Sequence, residues 1–484
     1  MDRRIDYKKY IAIGKDALIR FVGSRYYPPF VCALVLLGYF SGLEMLFGSI
    51  NVLLFCLSLW FVDSAKHVLI VAGTFMYQIS PGHAPTVPTR SDYFFTGIRP
   101  YIVAFLIIVL VSSFVAYVIR TKIYKTFTFK ECPLLWPMLL LAAAFLLNGI
   151  GSDKYAGKDF LVGFAEAGTY FAFFLLFYFG FRKRDLEKID SYFCYCTLWI
   201  AATILFQIAM LYLCGNVFRE DGAISFHLIR LGWGVSTVIG GHLSVLIPVL
   251  LYGAMRRRHP IPYFIMACLT VLGCFLSMSR TALGVGALFF GICLLIGCFH
   301  GNRKTLFQIS SLLIILFFLV ALIGFFDDLR HLFAVYFEKG FSTSGRWDMW
   351  KKCVDDFFDH PLFGAGFFGL ELGKEVSHFA HNTIMQMIGA CGLFGIIAYF
   401  IYRIETIFLY TERPTLFKTM LGLSAAALVV ASLLDIFLFS FFSMLYHSAI
   451  LALTVILIRE EKENQKASPK KPKEQKEKSP TEAA

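Results

Sequence analysis

Residues 261–299 read IPYFIMACLTVLGCFLSMSRTALGVGALFFGICLLIGCF, and Arg280 is their single charged residue. Two apolar runs, 261–278 and 281–299, lie on either side of it. Each is about as long as an α-helix that crosses a hydrocarbon layer of ~30 Å. The apolar residues are contiguous and do not alternate with polar ones, which argues against the strand pattern of an outer-membrane barrel. The stretch reads as a helical hairpin in lipid with a tight turn near Ser277–Arg280.

The rest of the chain repeats this reading. Of 484 residues, 58% are hydrophobic and 16% charged, where a soluble globular protein carries roughly 25% charged residues. That composition excludes a soluble enzyme, a disordered chain and a disulfide scaffold. Candidate spans are 30–47, 49–63, 66–80, 99–119, 132–149, 163–181, 192–213, 233–254, 261–278, 281–299, 306–325, 383–402, 419–437 and 440–458. The first three are short and poorly separated. The expected fold is an all-α polytopic membrane protein of about 12–14 transmembrane helices, with one large outer loop containing an amphipathic helix. Its parts are a cytoplasmic N-terminal segment (1–29), an integral membrane domain (30–458) with an extracytoplasmic loop at 326–382, and a disordered cytoplasmic tail (459–484). No internal repeat and no cleavable signal peptide is expected.

The net charge of +12 is distributed by loop. Basic residues cluster before the first run and at 120–130, 182–188, 256–258 and 303–304, alternating with connections that are not basic. The positive-inside rule then puts these loops and both termini in the cytoplasm, and the charge needs no nucleic-acid partner. The twelve cysteines contain no CxxC pair; most sit in apolar runs as small hydrophobes, so neither a zinc site nor a disulfide framework is expected. The outer connections become 81–98, 150–162, 214–232 and 326–382.

On that side arginines are exceptions, and four are candidates: Arg219, Arg230, Arg280 and Arg346. A guanidinium at the hydrocarbon edge is costly unless paired or functional. The fork of Arg280 suits a phosphate or diphosphate, and a snorkelling anchor at a helix end is the alternative. In the long loop, Trp347, Trp350, Val354 and Phe357 share one helical face, read as an interfacial helix with its aromatics toward the bilayer. Arg346 falls in its first turn, where backbone N–H groups favour an anion. Asp355, Asp356 and Asp359 read as a solvated face. His381, just before the next apolar run, lies at the outer surface, where an imidazole can accept a proton; a lone His at a helix start is more often structural or merely polar. His378 and His381 lack a third metal ligand, so no metal site and no cofactor is expected.

Taken in order, Arg230, SMSRTA at 277–282, GRWDMW at 345–350, HPLFGAGF at 360–367 and HN at 381–382 resemble the O-antigen ligase and Wzy polysaccharide polymerase superfamily, over about residues 219–400. The resemblance implies a bacterial cytoplasmic-membrane glycosyltransferase that uses a polyprenyl-diphosphate-linked oligosaccharide donor at the outer face, without nucleotide sugar or metal. It implies His381 as general base, Arg230 and Arg346 gripping the diphosphate, and Arg280 forming the site or binding phosphate. The stretch Gly234–His242 lacks the Asn-Pro-Asn-like element that many members carry there, so Arg219 stands as the alternative to Arg230. Implied partners are a glycan or lipid-linked acceptor, the bilayer, and chain-length regulator and flippase proteins.

Polymerase is the main reading, with O-antigen, capsule or exopolysaccharide as product. A ligase that transfers the glycan to lipid A core or another acceptor is the alternative. A lipid-linked oligosaccharide flippase or transporter is a different class, and it predicts repeated halves and ionisable groups at mid-membrane. Glu44, Asp63, Glu166 and Asp435 instead read as span-end residues.

Overall fold

The structure, a computed structural model, describes residues 7–77, 96–122, 132–181, 186–218, 224–225, 228–232, 234–324, 346–370, 380–435, 437 and 441–467. Among them are sixteen α-helices and one two-stranded hairpin. Each of the fourteen apolar runs contains one helix. These are α2 (Tyr27–Ser41), α3 (Glu44–Phe61), α4 (Val68–Thr74), α5 (Arg99–Thr121), α6 (Leu135–Leu146), α7 (Gly157–Gly180) and α8 (Ile189–Leu213). After the hairpin β1 (Arg230–Leu231) and β2 (Gly234–Val235) come α9 (Ser236–Arg256), α10 (Pro260–Leu276), α11 (Arg280–Phe299) and α12 (Lys304–Gly324). The series ends with α14 (Thr383–Thr411), α15 (Leu416–Ser432) and α16 (Phe441–Ala467). Two helices lie outside the runs: α1 (Tyr7–Val22) and α13 (Arg346–Asp359).

Seven of these, α3, α5, α7, α8, α9, α11 and α14, are long and apolar enough to cross a membrane individually. An eighth crossing results if α1 and α2, bent by 87°, act as one. The remaining apolar helices include shorter ones such as α6, α10 and α15. Helix α9 is almost wholly enclosed, packed among α8, α10, α11 and α15. By contrast α5 presents Phe105, Ile107, Ile108 and Val111 outward. Such an apolar exterior is unfavourable in water and matches a lipid surround.

Helix ends follow local chemistry. Pro28 and Pro29 occupy the first turn of α2, where a missing N–H costs nothing. Ser279 caps α11 by accepting from Ala282 N, and Thr415 caps α15 by accepting from Lys418 N. The end of the bundle near Thr415 carries the ion pairs Lys418–Glu461 and Lys462–Glu412, each at 2.6 Å.

Helix α14 is broken at Gly392, whose φ is +63°. The HPLFGAGF segment lies alongside this break. Leu393 N donates to Pro361 O (2.8 Å) and Phe394 N to Leu362 O (3.1 Å). In return Ala365 N donates to Gly389 O (2.8 Å) and Gly366 N to Ala390 O (3.1 Å). Backbone groups freed by the break are thus satisfied inside the protein, as the absence of water in lipid requires. A Cβ at Gly392 would stand 2.6 Å from Gly364 N, so the motif's glycines allow a close backbone approach that no larger residue permits. The same segment is tied to the α6–α7 connection: Phe367 N donates to Asn148 Oδ1 (3.0 Å) and Phe368 N to buried Asp159 Oδ1 (2.6 Å).

Two charge assignments change with the fold. Asp356 is fully buried and accepts from Lys352 Nζ (2.8 Å) and Lys154 Nζ (3.1 Å). The inward face of α13 is Cys353 and Asp356 packed toward α14, while Trp347 stays exposed. Of the acidic trio, then, Asp356 is not solvated. Glu44, Asp63 and Asp435 do lie at helix ends, but Glu166 lies nine residues inside α7 with Oε2 buried. Arg403, just past the expected span 383–402, is also well inside its helix, because α14 continues to Thr411.

Candidate active site

His381 immediately precedes the cap of α14. Asn382 supplies that cap, its Oδ1 accepting from Ile384 N (2.8 Å) and Met385 N (3.1 Å). His381 itself has φ +49°. A left-handed non-glycine residue costs about 1–3 kcal/mol and persists only where its surroundings over-determine it. They do so here. On one side Ala380 N donates to Gln386 Oε1 (2.7 Å), and Trp350 Nε1 of α13 donates to Ala380 O (2.8 Å). On the other, Asn382 Nδ2 donates to Leu433 O (2.8 Å).

The imidazole so held has Nδ1 3.3 Å from Asp435 Oδ1, in the turn after α15. The His381 side chain is 40% exposed and that of Asp435 only 5%. The carboxylate therefore backs the ring from inside, and the ring opens toward the surface. Thr383 Oγ1 also reaches Asp435 O (3.5 Å). Arg346, first residue of α13, donates from Nη1 to Leu434 O at 2.9 Å. One turn, Leu433–Asp435, thus joins His381, Asn382 and Arg346.

Neighbouring contacts lead to the other arginines. Phe437, two residues beyond Asp435, packs on Gly241 of α9. The adjacent Gly240 leaves room for only a hydrogen against Ala282 and Ser277, 2.5 Å from where its Cβ would be. Those two residues bracket Arg280, which opens α11 and is partly buried. Arg230 is exposed on β1, paired with Val235 immediately before α9. Arg219 and His378 lie outside the described residues. The structure therefore brings His381 and Arg346 onto one turn, while Arg280 opens α11, which packs against α9 and α15, and Arg230 lies on β1 just before α9. Among the described residues no three His, Cys, Asp or Glu side chains assemble as metal ligands.

Asp435, paired with His381 in this candidate site, is the residue that sequence reasoning missed, read there as an interfacial charge. The available signal was positional: it falls at the end of the run 419–437, next to a connection that alternation of the spans puts on the same side as His381. Chemically the cluster offers a carboxylate-backed imidazole and a nearby guanidinium. That combination can take a proton from a hydroxyl and stabilise an anionic leaving group.

Residues 264–400, from α10 to α14, match the family model described as O-antigen ligase. The matched stretch contains Arg280, Arg346, HPLFGAGF and His381, and supports the O-antigen ligase and Wzy polymerase superfamily. It ends before Asp435. No curated protein matches the chain. The apolar helices and this match together point to a bacterial membrane protein of a ligase or polymerase class.

Proposed function

We propose that the protein transfers or polymerises polyprenyl-diphosphate-linked oligosaccharide repeat units at the outer face of the bacterial cytoplasmic membrane, with both termini in the cytoplasm. The observation that supports this best is the His381–Asp435 pair, 3.3 Å apart, joined to Arg346 through one turn. An acceptor hydroxyl oxygen attacks the anomeric carbon of the donor. The bond from that carbon to the diphosphate oxygen breaks, and its electron pair leaves with polyprenyl diphosphate. The hydroxyl proton passes to His381 Nε2 while Asp435 holds the Nδ1 side of the ring and offsets the positive charge that develops. Arg346, Arg280 and either Arg230 or Arg219 stabilise the diphosphate as it gains charge, so arginines carry the role a metal ion has elsewhere.

Polymerase and ligase share this chemistry and differ in acceptor. Reconstitution with a defined lipid-linked oligosaccharide separates them through the product's reducing end. Product still on polyprenyl diphosphate identifies a polymerase, and product on another acceptor identifies a ligase. Donor that is neither extended nor transferred, across a set of acceptors, would overturn the reading.

A further inference from the structure

The most unusual charge in the molecule is far from His381. Arg403 of α14 is 8% exposed, and among the described residues none of its three guanidinium nitrogens has a hydrogen-bond partner. It lies eight residues before Thr411, the end of its helix, which at 1.5 Å per residue is roughly 12 Å in from that end. Burial within the protein therefore falls on a side chain that does not lose its proton.

Its neighbours define the space. The guanidinium carbon is 4.9 Å from the ring centre of Tyr399 and 5.1 Å from that of Tyr402. These ring faces offset some of the charge but do not accept the in-plane N–H groups. The Tyr402 hydroxyl is already committed: it meets the Tyr170 hydroxyl of α7 and lies 3.2 Å from His447 Nε2 of α16. When Tyr402 donates to Nε2, the His447 proton is on Nδ1, which is buried and has no partner. Arg403 is close enough to act electrostatically on both Tyr402 and His447. Among the described residues the seam between α7, α14 and α16 is thus rich in buried donors, carries the fixed positive charge of Arg403, and has no carboxylate paired to it.

An unpaired buried charge costs several kcal/mol. A ligand that supplies one negative charge and only acceptor capacity removes that cost. We infer that Arg403 and His447 form an internal binding site for a small monovalent anion of the halide type. A phosphate dianion fits less well, because its desolvation is larger and only one fixed positive charge compensates it.

The test uses the full-length protein in detergent, with chloride exchanged for gluconate at constant ionic strength. Radioactive chloride should bind saturably at about one ion per chain, and Arg403→Met should lose that binding. Thermal unfolding of the wild type should shift upward with chloride and saturate, and the shift should vanish in Arg403→Met. Should that variant fail to fold, wild-type crystals grown in bromide decide: anomalous scattering between Arg403 and His447 is expected. The proposal is overturned by non-saturable chloride binding in the wild type, by binding that Arg403→Met leaves intact, or by density at the guanidinium without anomalous signal, which would be water.

Discussion

Replacing Asp435 with asparagine removes one charge from the inner side of His381 and changes little in shape. Its Oδ1 is 3.3 Å from Nδ1, toward the long end for a charge-assisted bond, and the imidazole is 40% exposed. At that separation a full imidazolium–carboxylate interaction is worth about 5 kcal/mol at an effective dielectric of ~20 and about 1 kcal/mol in bulk water. A half-exposed ring lies between these limits, at about 2–3 kcal/mol. Since the imidazolium forms only as the hydroxyl proton is taken, the loss falls on the transition state, and 1.36 kcal/mol is tenfold in rate. Asp435→Asn should lower kcat roughly 30- to 150-fold and leave the donor KM within about twofold. The assay is initial-rate product formation from purified protein and lipid-linked donor, with Asp435→Glu as the charge-retaining control. A kcat within twofold of wild type, or a loss carried by KM, would refute the reasoning, because a purely structural carboxylate predicts no such division.

His381→Ala should abolish polymer or transfer product at normal protein level; wild-type amount and length of product in that variant would sink the base assignment. Arg346→Ala and Arg280→Ala should each raise the donor concentration needed for half-saturation, with Lys restoring only part, since an ammonium lacks the bidentate fork; unchanged donor saturation counts against diphosphate binding. Gly392→Ala, which forces a Cβ to within 2.6 Å of Gly364 N at φ +63°, should destabilise the fold by about 2–3 kcal/mol, seen as a lower unfolding temperature in detergent. An unfolding temperature equal to wild type would show that the break at Gly392 tolerates a side chain.

The candidate site was legible in proportion to how local its signals are. His381, Arg346 and Arg280 each sit where an apolar run begins or an amphipathic helix starts, and such boundaries can be read from a few residues. Their neighbours could not be read that way. Asp356 belongs to a run of charges whose outward face was expected on helical period alone, yet α13 turns it toward α14, and Lys154 of the α6–α7 connection, 202 residues away in sequence, pairs with it. Arg403 stood one residue beyond an expected span end, and only the continuation of α14 to Thr411 moves it inside.

By itself the sequence determined that the protein is helical, apolar and many times hydrophobically interrupted, and where each apolar helix lies to within several residues. In lipid every segment must satisfy its own backbone hydrogen bonds, so the information is contained within each run of about 20 residues. Only the tertiary structure decided which side chains meet. His381 and Asp435 are 54 residues apart, and their pairing depends on how the start of α14 packs against the turn after α15. The HPLFGAGF segment likewise has no visible task until the break at Gly392 exposes the backbone groups it satisfies. Packing direction and depth are properties of helices against one another, and no periodicity within a single helix carries them.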